Sequence, residues 1–175
     1  MKKFSLLFVL LFPFYSLFAK VLISPVNAMK ENYAQYTSIQ KKVLTLSPEQ
    51  MHLVQQNAKV KLHAKKYTVY IAQKNKKILG YGILINKKVR SKNSVILYFI
   101  EHNELKDIEI IAFNEPQEYL PSKEWQKQFQ NKKTTTNLQL SKNIPNITGA
   151  TLSARAVVES SRIAFALYNN FLKGN

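Results

Sequence analysis

Four runs rich in β-branched and aromatic residues occupy the middle of the chain: Tyr67-Thr68-Val69-Tyr70-Ile71-Ala72, Ile78 to Ile85, Ser94 to Ile100, and Ile108 to Phe113. Runs of this composition, bounded by short polar links such as Asn75-Lys76-Lys77, read as strands. Short links do not leave room for crossovers, so the strands form an antiparallel meander. The expected fold class is α+β: an antiparallel sheet of about four strands, one face covered by helices, with a C-terminal helix at the end of the chain. Gly80 and Gly82 straddle Tyr81 in the second run, and a glycine inside a strand marks a bulge or the close approach of another group.

The flanks carry the helical period. Met29, Tyr33, Tyr36, Ile39 and Val43 recur at helical spacing and predict one helix from Met29 to Leu46. Lys30, Lys41 and Lys42 beside them allow either packing on the domain or a membrane-facing amphipathic role. Ser47-Pro48-Glu49-Gln50 is a helix start: Ser47 as N-cap, Pro48 in the first position, Gln50 completing a capping box. That helix is expected to reach about Gln56. Lys59 to Lys66 alternates polar and apolar residues and reads as a linker or a lysine-guarded edge strand.

Beyond the fourth run, Pro116 and Pro121 break the pattern between Glu115 and Ser122. Ser122 then caps a helix carrying Trp125 and Phe129, with the single tryptophan expected as a core anchor. Asn131 to Lys142, which includes Thr134-Thr135-Thr136, is a polar loop or short edge strand. Val157, Ala164, Leu167 and Phe171 predict a final helix from Ala154 to about Leu172, closed by Gly174.

At the other end, Met1-Lys2-Lys3 precedes an apolar run from Phe4 to Phe18 and then Ala19-Lys20. This is the order of a secretory signal cut after Ala19, with a retained N-terminal anchor as the alternative. The expected organisation is a signal over 1–19, an N-terminal helical segment over 20–64 and the main domain over 65–175. The expected location is periplasmic or otherwise extracytoplasmic.

Charge acquires its meaning from that location. The chain has 26 Lys and Arg against 10 Asp and Glu, a formal charge of +16. In a cytosolic protein this balance points first to nucleic acid, which export sets aside. Anionic lipid headgroups at a peripheral membrane contact, an acidic redox partner, or a merely lysine-rich surface remain. The chain has no cysteine, which excludes disulfides, thiolate metal sites and cysteine-held iron–sulfur clusters. His52, His63 and His102 lack metal-ligand spacing, and Asp107 is the only Asp, so no Asp-rich calcium loop exists. No Ser/His/acid arrangement is legible either. No catalytic or metal-ligating residue is assigned, and any redox chemistry falls to an organic cofactor.

One stretch is suited to holding such a cofactor. In Pro145-Asn146-Ile147-Thr148-Gly149-Ala150-Thr151-Leu152-Ser153, Thr148 and Gly149 make a tight turn and Ser153 is the expected N-cap of the last helix. The hydroxyls of Thr148, Thr151 and Ser153 thus gather where free backbone N–H groups and a helix dipole favour an anion such as phosphate.

Thr148-Gly149-Ala150-Thr151-Leu152-Ser153 resembles the flavin attachment motif of the small FMN-binding domain family, found in covalent-flavin subunits of the sodium-pumping NADH:quinone reductase and the Rnf complex. There, Ser or Thr, Gly, Ala, Thr, an apolar residue and Ser or Thr precede a terminal helix. The resemblance implies FMN joined as a phosphoester to Thr151, a separate flavin transferase for maturation, and a membrane redox partner. The family's Asp, three residues before the first hydroxyl, is Pro145 here. The resemblance also implies a Glu- and Pro-containing loop near the isoalloxazine ring, supplied by Glu118, Tyr119 and Leu120, with Trp125 as a further apolar surface. It makes the ring a second candidate for what approaches Gly80 and Gly82. The implied function is an exported carrier relaying electrons at the outer face of the cytoplasmic membrane. Two alternatives stand beside it: a secreted binding protein that keeps the fold without flavin, and a flavin-dependent reductase of a small acceptor.

Overall fold

A computed structural model describes residues 21–174; the expected signal and its cut after Ala19 lie outside the described residues. In order they form α1 (Pro25–Asn32), β1 (Ser38–Thr45), α2 (Pro48–Ala58), β2 (Lys66–Lys74), β3 (Lys77–Lys88), β4 (Asn93–Glu101) and β5 (Glu104–Phe113). A 3₁₀ turn (Gln117–Tyr119), α3 (Lys123–Gln126) running into a second 3₁₀ turn (Lys127–Phe129), β6 (Lys132–Lys133) and α4 (Thr151–Phe171) follow. No described helix is long and apolar enough to cross a membrane.

The strands form one six-stranded antiparallel sheet in sequence order. Its centre, β2 to β5, is the expected meander, and β1 and β6 add a strand at each edge. β1 corrects the helix expected from Met29 to Leu46, which exists only as α1. Residues four apart share a face in a strand as well as in a helix, so Ile39 and Val43 fit both periods. Pairing decides between them: Ser38 lies opposite Gln73 and Thr45 opposite Lys66. Lys59 to Lys65 is the linker into β2, and the lysine-bearing edge is β1. The capping box of α2 forms as expected, with the Gln50 amide donating to Ser47 Oγ at 3.3 Å and the Ser47 amide donating to Gln50 Oε1 at 2.9 Å. The helix continues to Ala58, where Lys59 turns it off at φ 53°.

Both faces of the sheet are covered, where one was expected. Val69, Ile83, Ile96, Tyr98 and Ile110 point to the face on which α2 and α4 pack. The alternate positions Tyr70, Ala72, Leu97 and Phe99 face α1. The Tyr98 hydroxyl donates to Val157 O at 2.8 Å and that of Tyr81 to Leu172 O at 3.0 Å, which ties α4 to the sheet at its middle and its end. Trp125 is buried against Phe129, centroids 5.2 Å apart, as a core anchor.

Gly80 and Gly82 are explained on the α1 face. Pairing steps from Ala72 opposite Gly80 to Gln73 opposite Ile78, leaving Leu79 as the extra residue of a bulge. A Cβ on Gly80 would sit 2.7 Å from Tyr33 Cε1 and Cζ, and one on Gly82 would overlap Met29 Sδ. The groups that come close are therefore Met29 of α1 and Tyr33 just beyond it, in place of a flavin ring.

Candidate functional site

The turn before α4 follows from local chemistry. The Ala150 amide donates to Ile147 O at 3.1 Å and Gly149 has φ 79°, as a type II turn requires at its third position. Ala150 is the N-cap and contributes no side-chain hydrogen bond; Thr151 is the first helical residue. The helix thus starts earlier than expected. Ala150 O already accepts the Ala154 amide at 3.1 Å, so Ser153 lies within the first turn, 2 % exposed, and is not the N-cap. The first amides of α4 have no intrahelical acceptor and no capping side chain, an arrangement that favours an anion. Thr151 is half-buried; its Oγ1 has only long contacts, donating to Ile147 O at 3.4 Å and accepting from Asn146 Nδ2 at 3.5 Å. The motif is also held at its start, where Trp125 Nε1 donates to Pro145 O at 2.8 Å.

This turn forms one wall of a cleft of about 220 Å³, lined by residues 149–153, Tyr119, Glu115, Val89 and Arg90. Of the residues expected at the site, Thr151, Gly149, Ala150, Leu152, Ser153 and Tyr119 come together here. Thr148 is exposed on the turn and outside the lining, as is Glu118; Leu120 packs toward the main core. Leu152 is 43 % exposed, an apolar side chain standing at the cleft.

Val89 and Arg90 were not foreseen, and Glu115 was placed only at the start of the Glu- and Pro-containing loop, without a role of its own. Val89 and Arg90 lie in the β3–β4 turn and Glu115 two residues beyond β5, brought together by long-range pairing that no local motif announces. Glu115 is 6 % exposed. Its Oε1 accepts the amides of Arg90 at 3.0 Å, Ser91 at 2.7 Å and Lys92 at 2.7 Å. The Lys92 amide above all, with those of Ser91 and Arg90, holds the carboxyl below its usual range, although burial opposes this. Glu115 thus anchors the turn through its backbone, and the exposed Arg90 guanidinium makes no ion pair or hydrogen bond among the described residues.

The depressed pKa fixes the direction of a pH effect. A carboxyl more acidic in the folded chain contributes stability above its unfolded value, about 4.3 for Glu. That contribution disappears as pH falls through the folded value. Hydrogen-exchange protection of the Ser91 and Lys92 amides is therefore expected to drop on acidification below about pH 4, with Glu115→Gln showing no such step. An unchanged protection profile in wild type would contradict the anchoring role.

The FMN-binding domain family matches residues 63–166. The chain belongs to this family. FMN is accordingly its cofactor, and the protein is a flavoprotein. No curated protein matches the chain. The cleft suits parts of FMN on its own terms. Uncapped amides and Arg90 fit a phosphate, while Leu152, Val89 and Tyr119 offer apolar surface to a planar ring. An added Cβ on Gly149 would meet nothing within 4 Å, so the turn leaves open space beside Thr151. Pockets that engulf a ligand usually measure about 300–1,000 Å³. A cleft of about 220 Å³ has room for one end of such a ligand, with the rest near the surface.

Proposed function

We propose that this protein is an exported electron carrier whose FMN is joined through its phosphate to Thr151. The observation that carries the reading is the position of Thr151: first residue of an uncapped helix, in a cleft shared with Arg90, whose guanidinium is unpaired among the described residues. Attachment joins Thr151 Oγ1 to the FMN phosphorus of an activated flavin nucleotide: the new P–O bond replaces the bond to that nucleotide's outer phosphate group, which departs with the Thr151 proton, for a net gain of FMN less water. A separate flavin transferase performs this step. When bound, FMN supplies the ring that accepts and donates electrons.

The chain's own residues bind and orient. The amides of the first turn of α4 and Arg90 balance the remaining negative charge of the phosphodiester. Tyr119, Val89 and Leu152 offer apolar contact, and Glu115 keeps Arg90 in place through the backbone. Neither a catalytic acid nor a base is required of a carrier. Covalent attachment suits an extracytoplasmic location, where a dissociable cofactor is lost by dilution. A ring left partly exposed by so small a cleft would suit exchange of electrons with a membrane redox partner.

Exported and matured with a flavin transferase, the protein is expected to be yellow and to show flavin fluorescence that stays with the polypeptide through denaturing gel electrophoresis. Flavin released on denaturation would replace the covalent reading with non-covalent binding. A colourless protein would remove the carrier reading and favour a secreted binder that keeps the fold alone.

A further inference from the structure

A second concavity adjoins the flavin cleft. The β3–β4 turn separates the two: Val89 and Arg90 line the cleft, while the preceding Lys87 and Lys88 line a groove of about 380 Å³. Lys61 and His63, from the linker between α2 and β2, form the facing rim, and Leu62, Tyr67, Ile85 and Ile163 line its apolar part. Among the described residues no acid lines the groove. Lys87 is paired with Glu159 at 2.7 Å, but Lys61 and Lys88 are exposed and make no ion pair among the described residues.

The groove lies at one end of the sheet. Antiparallel pairing puts Lys66, Lys88 and Asn93 at one end, and the Lys74–Lys77 and Glu101–Glu104 turns at the other. The far end mixes its charges: Glu101 pairs with Lys106 at 3.0 Å, and Glu104 and Asp107 stand nearby in sequence. The cleft end carries Lys61, Lys65, Lys66, Lys88, Arg90 and Lys92, with Glu115 and Glu159 already engaged with backbone amides and Lys87. Glu49 at the start of α2 and Glu118 beside Tyr119 also stand at this end. The positive charge is therefore local to the groove, whose described lining holds three lysines and no acid.

We infer that the Lys61–Lys88 groove docks an acidic, protruding segment of a partner protein next to the cofactor. The redox role of that partner rests on the carrier reading; the groove and its charge do not. Shape favours a protein over a bilayer. The apolar side chains form the inside of a concavity, whereas a membrane-binding face carries them outward. A narrow basic groove also focuses the field onto an entering acidic chain and speeds encounter.

The test uses labelled poly-L-glutamate as the probe, with fluorescence anisotropy at low salt, on the flavin-loaded protein and on the Thr151→Ala chain. Lys61→Glu with Lys88→Glu reverses the groove; Lys76→Glu with Lys77→Glu applies the same charge change at the far end, where both lysines are exposed. The groove pair is expected to weaken binding by about tenfold or more and the far pair by less than about twofold. Both forms should bind alike, so a missing flavin leaves the result readable. Equal losses from the two pairs, or no binding of the probe to the parent, would overturn the inference. So would a groove pair that loses binding to vesicles containing phosphatidylglycerol while keeping its affinity for poly-L-glutamate, which would assign the surface to a membrane.

Discussion

Thr151→Ala is expected to abolish flavin incorporation, leaving a folded, colourless protein. The substitution removes the oxygen that forms the ester and very little else. Thr151 heads α4, gives its helix no cap, and makes only long hydrogen bonds. Ala is the better helix former, so the change in stability should stay within about 0.5 kcal/mol. Thr151→Ser keeps a hydroxyl on the same carbon and should retain attachment at reduced yield. Thr148→Ala should be nearly neutral, because Thr148 is exposed and outside the cleft lining. Flavin absorbance per chain and a denaturant melt, measured on all three, separate loss of chemistry from loss of fold. Full flavin content in Thr151→Ala would transfer the attachment elsewhere.

Gly80→Ala should produce the largest loss of stability, about 2–3 kcal/mol from overpacking. The added methyl meets the ring of Tyr33, which has little freedom to move. That ring lies edge-on to Phe99 with centroids 6.2 Å apart, and Lys106 Nζ is 4.6 Å from its centroid. Its hydroxyl reaches Ile100 O at 3.4 Å, and burial raises its pKa strongly. Gly82→Ala should cost less, since the atom in its way is the sulfur of Met29, a side chain that re-packs readily. Combining Gly80→Ala with Tyr33→Ala should cost less than the sum of the two changes. Strict additivity in chemical denaturation would contradict a shared notch.

The same two glycines show where sequence reasoning stops. Their presence in a strand announced a bulge or a near neighbour, and both exist. The identity of the neighbour depended on α1 returning to the sheet, which no spacing encodes. β1 was hidden for a related reason: Ile39 and Val43 satisfy two periods, and only a partner strand chooses between them. By contrast the α2 capping box, the four central strands and the Thr148–Ser153 turn were legible because their signals are local. The site divides along the same line. Its Gly149–Ser153 wall falls in a stretch singled out by local signals, while Val89, Arg90 and Glu115 reach the cleft only through the pairing of β3, β4 and β5. Ser153 has the residue type of a cap, but the type II turn at Ile147–Ala150 makes Ala150 the N-cap and puts Ser153 inside the first helical turn.

The central claim is settled most directly by tandem mass spectrometry of the tryptic peptide spanning 143–155, which holds Thr148, Thr151 and Ser153. The protein should be exported and matured with a flavin transferase before digestion. The account predicts a mass gain of FMN less water, confined by fragmentation to Thr151, with Pro145 tolerated where the family motif has Asp. An unmodified peptide, or an adduct on Thr148 or Ser153, would contradict it.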